Sequence, residues 1–375
     1  MNILVVAHYQ SDGSPCAIFI HNQVKSYIKL GCKVKVIVPL AIGKKDYYKK
    51  RVTSLVNKSV IDGVEYVYVR YLSLSKYGNK AFNKKSVLLA IGYSYDKIMD
   101  GFKIDIIHAH TFSIDADIGI WLKNKEHVPL VLTTHGSDLE IPLRNGEQRE
   151  LKRILSYVDY AVAVSSKLER KVRNLGEYKC KSILNGCCFE ALCDNKKKKR
   201  SFIFVGNLIK QKNVDITIKA FSKIKKEYFD ARLSIVGEGE ELQNLRALCR
   251  ELNIEDSVCF WGRLPNQEVL KLMSKNEYFI MPSENEGFGI VYIEAMASGC
   301  ITIGTLGEGI ADFIKSGENG FLIKPFEEEI VKVVRYCENN PKVKSYVSFN
   351  GIKDARKLTW DNNARQYIKT FCELV

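Results

Sequence analysis

Short runs of Val, Ile, Leu and Ala alternate with helical periodicity from one end of the chain to the other. Residues 2–7, 34–38, 65–69, 105–109, 130–134, 160–164 and 181–184 carry the β-branched, nearly uninterrupted apolar pattern of strands. Residues 19–30, 83–99, 114–123, 147–156 and 166–175 carry the 3.6-residue periodicity of helices between them. A polar stretch, 187–200, then breaks the rhythm and ends in four lysines and Arg200, which reads as a solvated linker. The rhythm resumes with strands at 201–205, 232–236, 257–260, 278–281, 301–303 and 321–323, with helices between. A final helix, about 362–374, is placed to return to the first half. Apolar strands that do not alternate in polarity need cover on both faces. Strand, crossover and parallel strand then give an α/β fold of two doubly wound, Rossmann-like sheets. The expected division is 1–190 completed by 361–375, and 191–360. Ligands of such sheets sit beyond the carboxyl ends of the strands, so two facing sheets would enclose a cleft.

The length of 375 residues suits two domains of about 150–200 residues. There is no run of about 18 apolar residues to cross a membrane. The first residues enter a strand directly, without the pattern of a secretory signal, so the expected location is cytoplasmic. Eleven cysteines occur without a CxxC pair, which reads as reduced, structural thiols. The net charge of +14 is uneven: residues 1–186 hold 29 Lys/Arg against 17 Asp/Glu, while the remainder is near balance. An anionic partner for the first half is the physical implication. Lys44, Lys45, Lys49, Lys50 and Arg51 form one candidate basic patch. Lys76, Lys80, Lys84 and Lys85 form another.

The chemistry concentrates after the strand at 278–281. A glycine-bearing loop leads into a helix near Gly289, whose first N–H groups favour an anion. Glu286 precedes that helix and Glu294 lies in its second turn. The spacing is too long for one acid/base pair and suits a grip on two parts of an extended ligand. Pro282, Ser283, Glu286, Gly287, Phe288, Gly289, Glu294, Ala295, Met296, Ala297 and Gly299 together resemble the signature of glycosyltransferase family 4, a retaining family with the GT-B fold. The strand–loop from Phe204 to Asn213 resembles that family's diphosphate loop, with Lys212 at its lysine and Asn207 where arginine is usual. Gly237, Gly262, Gly307 and Gly309 extend the likeness, and Arg263 with Leu264 falls where the family meets the nucleobase. Residues 1–39 resemble a subgroup that builds surface polysaccharides, including teichuronic acid. Ala17 stands at the position of its usual loop glycine, and either Gly13 or Ala17 is the place where the backbone would approach a phosphate.

The resemblance implies a retaining, metal-independent transferase that uses a nucleotide diphosphate sugar, UDP-sugar favoured, and no other cofactor. Glu286 and His135 are its implied catalytic contacts. Gly13, Asn207, Lys212, Arg263, Leu264, Ser283, Phe288, Gly289 and Glu294 are its implied donor contacts. Phe19, His21 and the first basic patch are placed on the acceptor or membrane side, toward a glycan or lipid-linked glycan at an anionic inner membrane face. His108, His110 and His135 end two strands and are expected to face the cleft. A metal reading of these histidines is set aside, because the family works without metal. Asp115 and Asp117 sit at a helix start and read as capping and solvation. A dehydrogenase is disfavoured, since the first strand is followed by no GxGxxG fingerprint. No nucleic-acid-binding motif occurs. An epimerase, phosphorylase or non-catalytic sugar-nucleotide binder of the same fold is the alternative.

Overall fold

The computed structural model describes residues 1–8, 17–43, 54–74, 80–189 and 197–375. The chain forms two compact units, one of Met1–Gly186 with Trp360–Val375 and one of Cys187–Thr359.

The first unit is built on an eight-stranded sheet. Its strands are β1 (Asn2–Val6), β2 (Lys33–Gly43), β3 (Val56–Ile61), β4 (Val64–Ser73), β5 (Ile106–His110), β6 (Leu130–Thr134), β7 (Tyr160–Ala163) and β8 (Cys180–Ser182). Their order is β3-β4-β2-β1-β5-β6-β7-β8. All neighbours are parallel except β3 and β4. The strand order reverses at β1, with β2 on one side and β5 on the other. The register gives the unit its wall: β1 pairs with β2 only as far as Val6 with Ile37, whereas β2 and β4 stay paired to Gly43 and Ser73. Six residues of overhang extend about 20 Å past the end of β1.

Three features of this unit depart from the sequence reading. Strand β3 was unforeseen, although Asp62-Gly63 between apolar runs is a hairpin signal; both residues have positive φ, +51° and +77°. The helix expected over 83–99 is two helices, Lys80–Tyr93 and Tyr95–Met99, broken after Gly92 and Tyr93, both weaker helix formers than Ala. A helix Ser137–Arg144 also forms, despite Pro142 in its interior.

The second unit has β9 (Lys198–Val205), β10 (Arg232–Val236), β11 (Val258–Gly262), β12 (Asn276–Ile280), β13 (Ile301–Thr305) and β14 (Phe321–Ile323), in the order β11-β10-β9-β12-β13-β14. All pairs are parallel, and the order reverses between β9 and β12. Phe202, Phe204, Tyr278 and Phe279 are fully buried on these two central strands.

Part of the stretch expected as a linker is built into the fold, although Lys198 and Lys199 are exposed as a solvated run would be. Residues 198–200 already belong to β9. Lys197 turns its ammonium onto the carbonyls of Asn276 (2.7 Å), Ser298 (2.9 Å) and Met273 (3.3 Å), at the C-terminal ends of two helices where a cation is favoured. Arg200 pairs with Asp230 and Glu338. Replacing Lys197 by Met should cost about 2–3 kcal/mol, the scale of charge-assisted hydrogen bonds left without a donor. Urea unfolding followed by circular dichroism checks this; an unchanged midpoint would refute it.

The last helix, Trp360–Cys372, is part of the first unit. Tyr367 and Phe371 are fully buried, and Tyr367 Oη lies 3.1 Å from Thr133 Oγ1. Gln23 donates to Asn363 Oδ1 at 2.7 Å.

Candidate active site

In the second unit the two strands flanking the order reversal, β9 and β12, each end in a loop bearing two charged residues, Lys210 and Lys212 in the first and Glu284 and Glu286 in the second. The loop after β9 closes as a single 3-10 turn, Lys210–Lys212, and Asn213 follows in the left-handed region. The loop after β12 runs from Met281 into the helix Ile290–Ala297. Backbone and side chain tie the loops together: Glu284 N donates to Gln211 O at 2.8 Å, and Asn213 Nδ2 to Pro282 O at 2.9 Å. The result is a direct ion pair between Lys212 Nζ and Glu286 Oε2, 74 positions apart in sequence. Both side chains are about four-fifths covered, with 20% and 17% exposure.

Glu286 is held from three sides. Its N–H donates to Glu308 Oε2 at 2.8 Å, and its carbonyl accepts from Gly309 N at 3.4 Å. Ser283 Oγ lies 3.5 Å from the same carboxylate oxygen that meets Lys212. Ser283 is itself fixed by Tyr292 Oη at 3.1 Å, and that hydroxyl donates to Met281 O at 2.7 Å. Burial pushes the Tyr292 phenol well up, so it stays a hydroxyl donor. Gly289 sits at φ +79°, and a Cβ there would lie 2.6 Å from the Tyr292 ring; only glycine lets the loop enter the helix at this point. Phe288 is buried beneath the loop. Glu294 accepts from Asn266 Nδ2 at 2.9 Å, and burial raises its carboxyl pKa. Leu264 is half-buried, while Asn207 and Arg263 are exposed at the ends of β9 and β11.

Sequence reasoning missed Glu308, Gln211, Asn213 and Tyr292 as supports. Glu308 stands between two glycines of a noted motif, and that was its only signal.

The first unit holds a cavity of about 1650 Å³. It is bounded by the β2/β4 overhang (Leu40, Ile42, Arg70, Tyr71), by Phe19, and by His8, Phe112, His135 and Asp138 beyond the strand ends. The Phe19 ring centroid is 4.6 Å from that of His135. Asp138 shapes this end. Its Oδ1 accepts from His135 N and Gly136 N, both at 2.9 Å, and its Oδ2 from Phe112 N at 3.0 Å.

Several expectations are corrected here. His108 and His110 do not face open space; they are 0% and 1% exposed. His108 packs against Tyr367 and Phe371 and bonds Thr133 Oγ1 at 2.8 Å. His110 Nδ1 meets His135 Nε2 at 3.0 Å. His21 is also inside, 5% exposed between Tyr66 Oη and Asp62, so it packs its helix onto β4 and does not reach an acceptor or membrane. In the second basic patch, Lys80 is paired with Glu147 and Lys84 with Asp117, both at 2.5 Å, which cancels much of its field. Asp115 is neither a cap nor solvated: it is fully buried and pairs with His8. Gly13, Lys44, Lys45, Lys49, Lys50, Arg51 and Lys76 lie outside the described residues. Among the described residues no cluster of three or more His, Cys, Asp or Glu could hold a metal ion, and no helix is long and apolar enough to cross a membrane.

Burial drives the pKa of His108 and of His135 down to about 3. Both are therefore neutral at pH 7, able to donate and accept hydrogen bonds but carrying no charge. The unfolded chain takes up these protons near pH 6.5, the folded chain only near 3. Stability present above pH 6.5 is thus lost as pH falls between those values, on the order of 1 kcal/mol per pH unit for each histidine. Thermal melts from pH 7 to 4 should show this, and His108→Gln should flatten the slope by one histidine's share.

Residues 17–187 match the family model described as Glycosyltransferase Family 4, and residues 193–354 the model described as Glycosyl transferases group 1. Among curated relatives, an uncharacterized glycosyltransferase of Methanocaldococcus jannaschii is 28% identical over 284 residues, covering 74% of this chain and 78% of the relative. The N-acetyl-alpha-D-glucosaminyl L-malate synthase of Bacillus anthracis is 29% identical over 273 residues, 68% of this chain and 70% of the synthase. Among solved structures, the sucrose-phosphate synthase of Thermosynechococcus elongatus aligns with TM-score 0.79 at 17% identity, over 100% of this chain and 99% of that one. Anabaena HepE in complex with UDP-glucose aligns with TM-score 0.75 at 17% identity, over 100% of both. The structural likeness establishes the fold: two doubly wound α/β units of the GT-B kind.

Proposed function

The chain carries a Glycosyltransferase Family 4 domain followed by a group 1 glycosyltransferase domain, and from that premise we infer that it moves a sugar from a nucleotide diphosphate sugar to a hydroxyl of a glycan or lipid-linked glycan. The observation that carries this reading is the meeting of Lys212 and Glu286 where the strand order of the second sheet reverses. Open α/β sheets bind ligands at such points. The diphosphate competes with Glu286 for the Lys212 ammonium and takes the free N–H groups at the start of the helix Ile290–Ala297. Glu286, released from Lys212, then turns to the hydroxyls of the donor sugar. Glu294 takes the ribose hydroxyls, and the backbone around Arg263 and Leu264 meets the base.

Charge that develops on the departing diphosphate is met by Lys212 and helix N–H groups, so the reaction needs no metal in this reading. The Ser283 hydroxyl beside Glu286 is engaged by Tyr292 Oη, so no nucleophile is assigned there. Retention of configuration follows if the acceptor attacks from the face the diphosphate leaves, with the diphosphate taking the acceptor's proton. A UDP-sugar is the favoured donor, in keeping with the structural neighbour solved with UDP-glucose. The excess positive charge of residues 1–186 suits an acceptor at an anionic inner membrane face, and synthesis of a surface polysaccharide.

The test is incubation with labelled UDP-sugars, with and without glycan acceptors. Release of UDP that depends on an acceptor supports the reading. Conversion of the donor sugar without any acceptor would replace it with an epimerase.

A further inference from the structure

The first sheet has its own reversal point, between β1 and β5, and a histidine–aspartate pair with its carboxyl buried sits on it. His8 lies just past the end of β1, and Asp115 follows β5 in the first turn of the helix Ile114–Glu126. His8 Nδ1 is 2.8 Å from Asp115 Oδ2. The Asp115 side chain is 0% exposed, whereas that of His8 is 45% exposed and lines the cavity. Thr111 Oγ1 also donates to Asp115 Oδ2, at 3.1 Å. Among the described residues Asp115 Oδ1 is buried without any partner.

This is a costly arrangement for packing alone. A buried carboxylate with one unsatisfied oxygen lowers stability, and a hydrophobic pair in the same volume would be neutral or better. Functional sites are where such arrangements persist. We propose that His8, held by Asp115, accepts a hydrogen bond from the hydroxyl that is to be glycosylated. This rests on the transferase reading above and adds the residue that meets the acceptor.

The chemistry follows from the tautomer. Asp115 accepts the Nδ1–H of His8, which leaves the proton off Nε2 and its lone pair available to a ligand in the cavity. A hydroxyl donating to Nε2 is oriented, and its oxygen lone pairs stay unshared with the protein. As the hydroxyl oxygen bonds to the anomeric carbon and the bond from that carbon to the diphosphate breaks, the proton swings from its hydrogen bond with Nε2 to the departing diphosphate, so His8 ends the cycle neutral. Asp115 does not touch the ligand; it is a positioning residue.

The groups around His8 give the arrangement a pH signature. Asp115 and, more weakly, Asp138 raise the His8 pKa above 6.5, against the opposing effect of burial. His110 and His135, at the ends of β5 and β6, are held neutral by burial. Tyr71 of β4 is kept as a neutral phenol by burial and by Asp115. The neutral form of His8 is the one that accepts, so turnover rises with pH through its raised pKa and is level above it.

The experiment measures UDP release from a panel of UDP-sugars with n-octyl glycosides as hydroxyl probes, from pH 5 to 9. The enzymes compared are the wild type, Asp115→Asn and His8→Gln. An asparagine amide can donate to Nδ1 and move the proton to Nε2, which removes the acceptor. The expected result for Asp115→Asn is a plateau lower by roughly 10²-fold, an acid limb moved to lower pH, and an unchanged KM for the UDP-sugar. His8→Gln should lose the limb altogether. Binding of UDP and the circular dichroism spectrum confirm that each variant is folded. Turnover with the same acid limb in wild type and Asp115→Asn overturns the role of the pair and leaves the transferase reading intact. No turnover of any UDP-sugar by the wild type, with no binding of UDP, overturns that reading and this inference with it.

Discussion

Replacing Lys212 by alanine should lower kcat by roughly 10²-fold or more while leaving the fold unharmed. Two magnitudes separate these outcomes. A cation or donor aimed at charge that develops in the transition state is worth about 2.7–4 kcal/mol in turnover. A partly exposed ion pair such as Lys212–Glu286 contributes only about 0–1 kcal/mol to folding. The loss should therefore appear in steady-state kinetics and barely in a thermal melt. Neighbouring groups offer little compensation: Lys210 is exposed, and Asn207 brings an uncharged amide where a second cation would strengthen the site. Lys212→Arg should restore little, because a planar guanidinium on a longer stem does not place a point charge where the ammonium sits. Normal turnover by Lys212→Ala would remove the lysine from the mechanism.

Gly309→Ala should be nearly as damaging, by a different route. A Cβ at residue 309 would lie 2.0 Å from Gly287 O, 2.6 Å from Gly287 C and 2.8 Å from Phe288 Cα. These are backbone atoms, so no rotamer change relieves the clash; the loop of residues 286–289 must move. Overpacking of this kind costs about 1–3 kcal/mol of stability. The larger effect is on function, since a shift near 1 Å in a positioning group costs about 10²-fold in rate. Gly307→Ala is the control. Gly307 has φ +81° with open space around it, so an alanine there brings backbone strain alone, about 1–2 kcal/mol, and should leave turnover near normal. Equal losses of turnover in the two variants would show that the loop is not held by Gly309.

The sequence pattern foretold the sheets well, and for a physical reason. Strands covered on both faces leave unbroken apolar runs, and β1, β5, β6 and β13 are such runs, almost fully buried. Strand β3 has a mixed pattern, buried only at Val56, because it is an antiparallel edge with one face in solvent. The helix Ser137–Arg144 was hidden by its short length and by Pro142. In the second unit the motif residues around Glu286 were legible because the loop demands them locally: Gly289 for its φ, Ser283 and Phe288 for burial. What was not legible was partnership across the fold. Nothing in the neighbourhood of Asp115 says that His8, 107 positions earlier, will meet it. Nothing near Glu308 says that it will accept from Glu286 N. Histidines at strand ends gave the opposite error: His108 and His110 looked available, yet the rings of the final helix and of His135, just past β6, cover them.

The central claim is that a nucleotide's diphosphate lodges on Lys212 and the start of the helix Ile290–Ala297. Amide hydrogen exchange, measured with and without saturating UDP, addresses it directly. Slowed exchange in the turn after β9, residues 206–213, together with residues 286–291, is the predicted result, and it should vanish in Lys212→Ala. Binding of UDP that leaves both segments exchanging at their free rates would contradict the account.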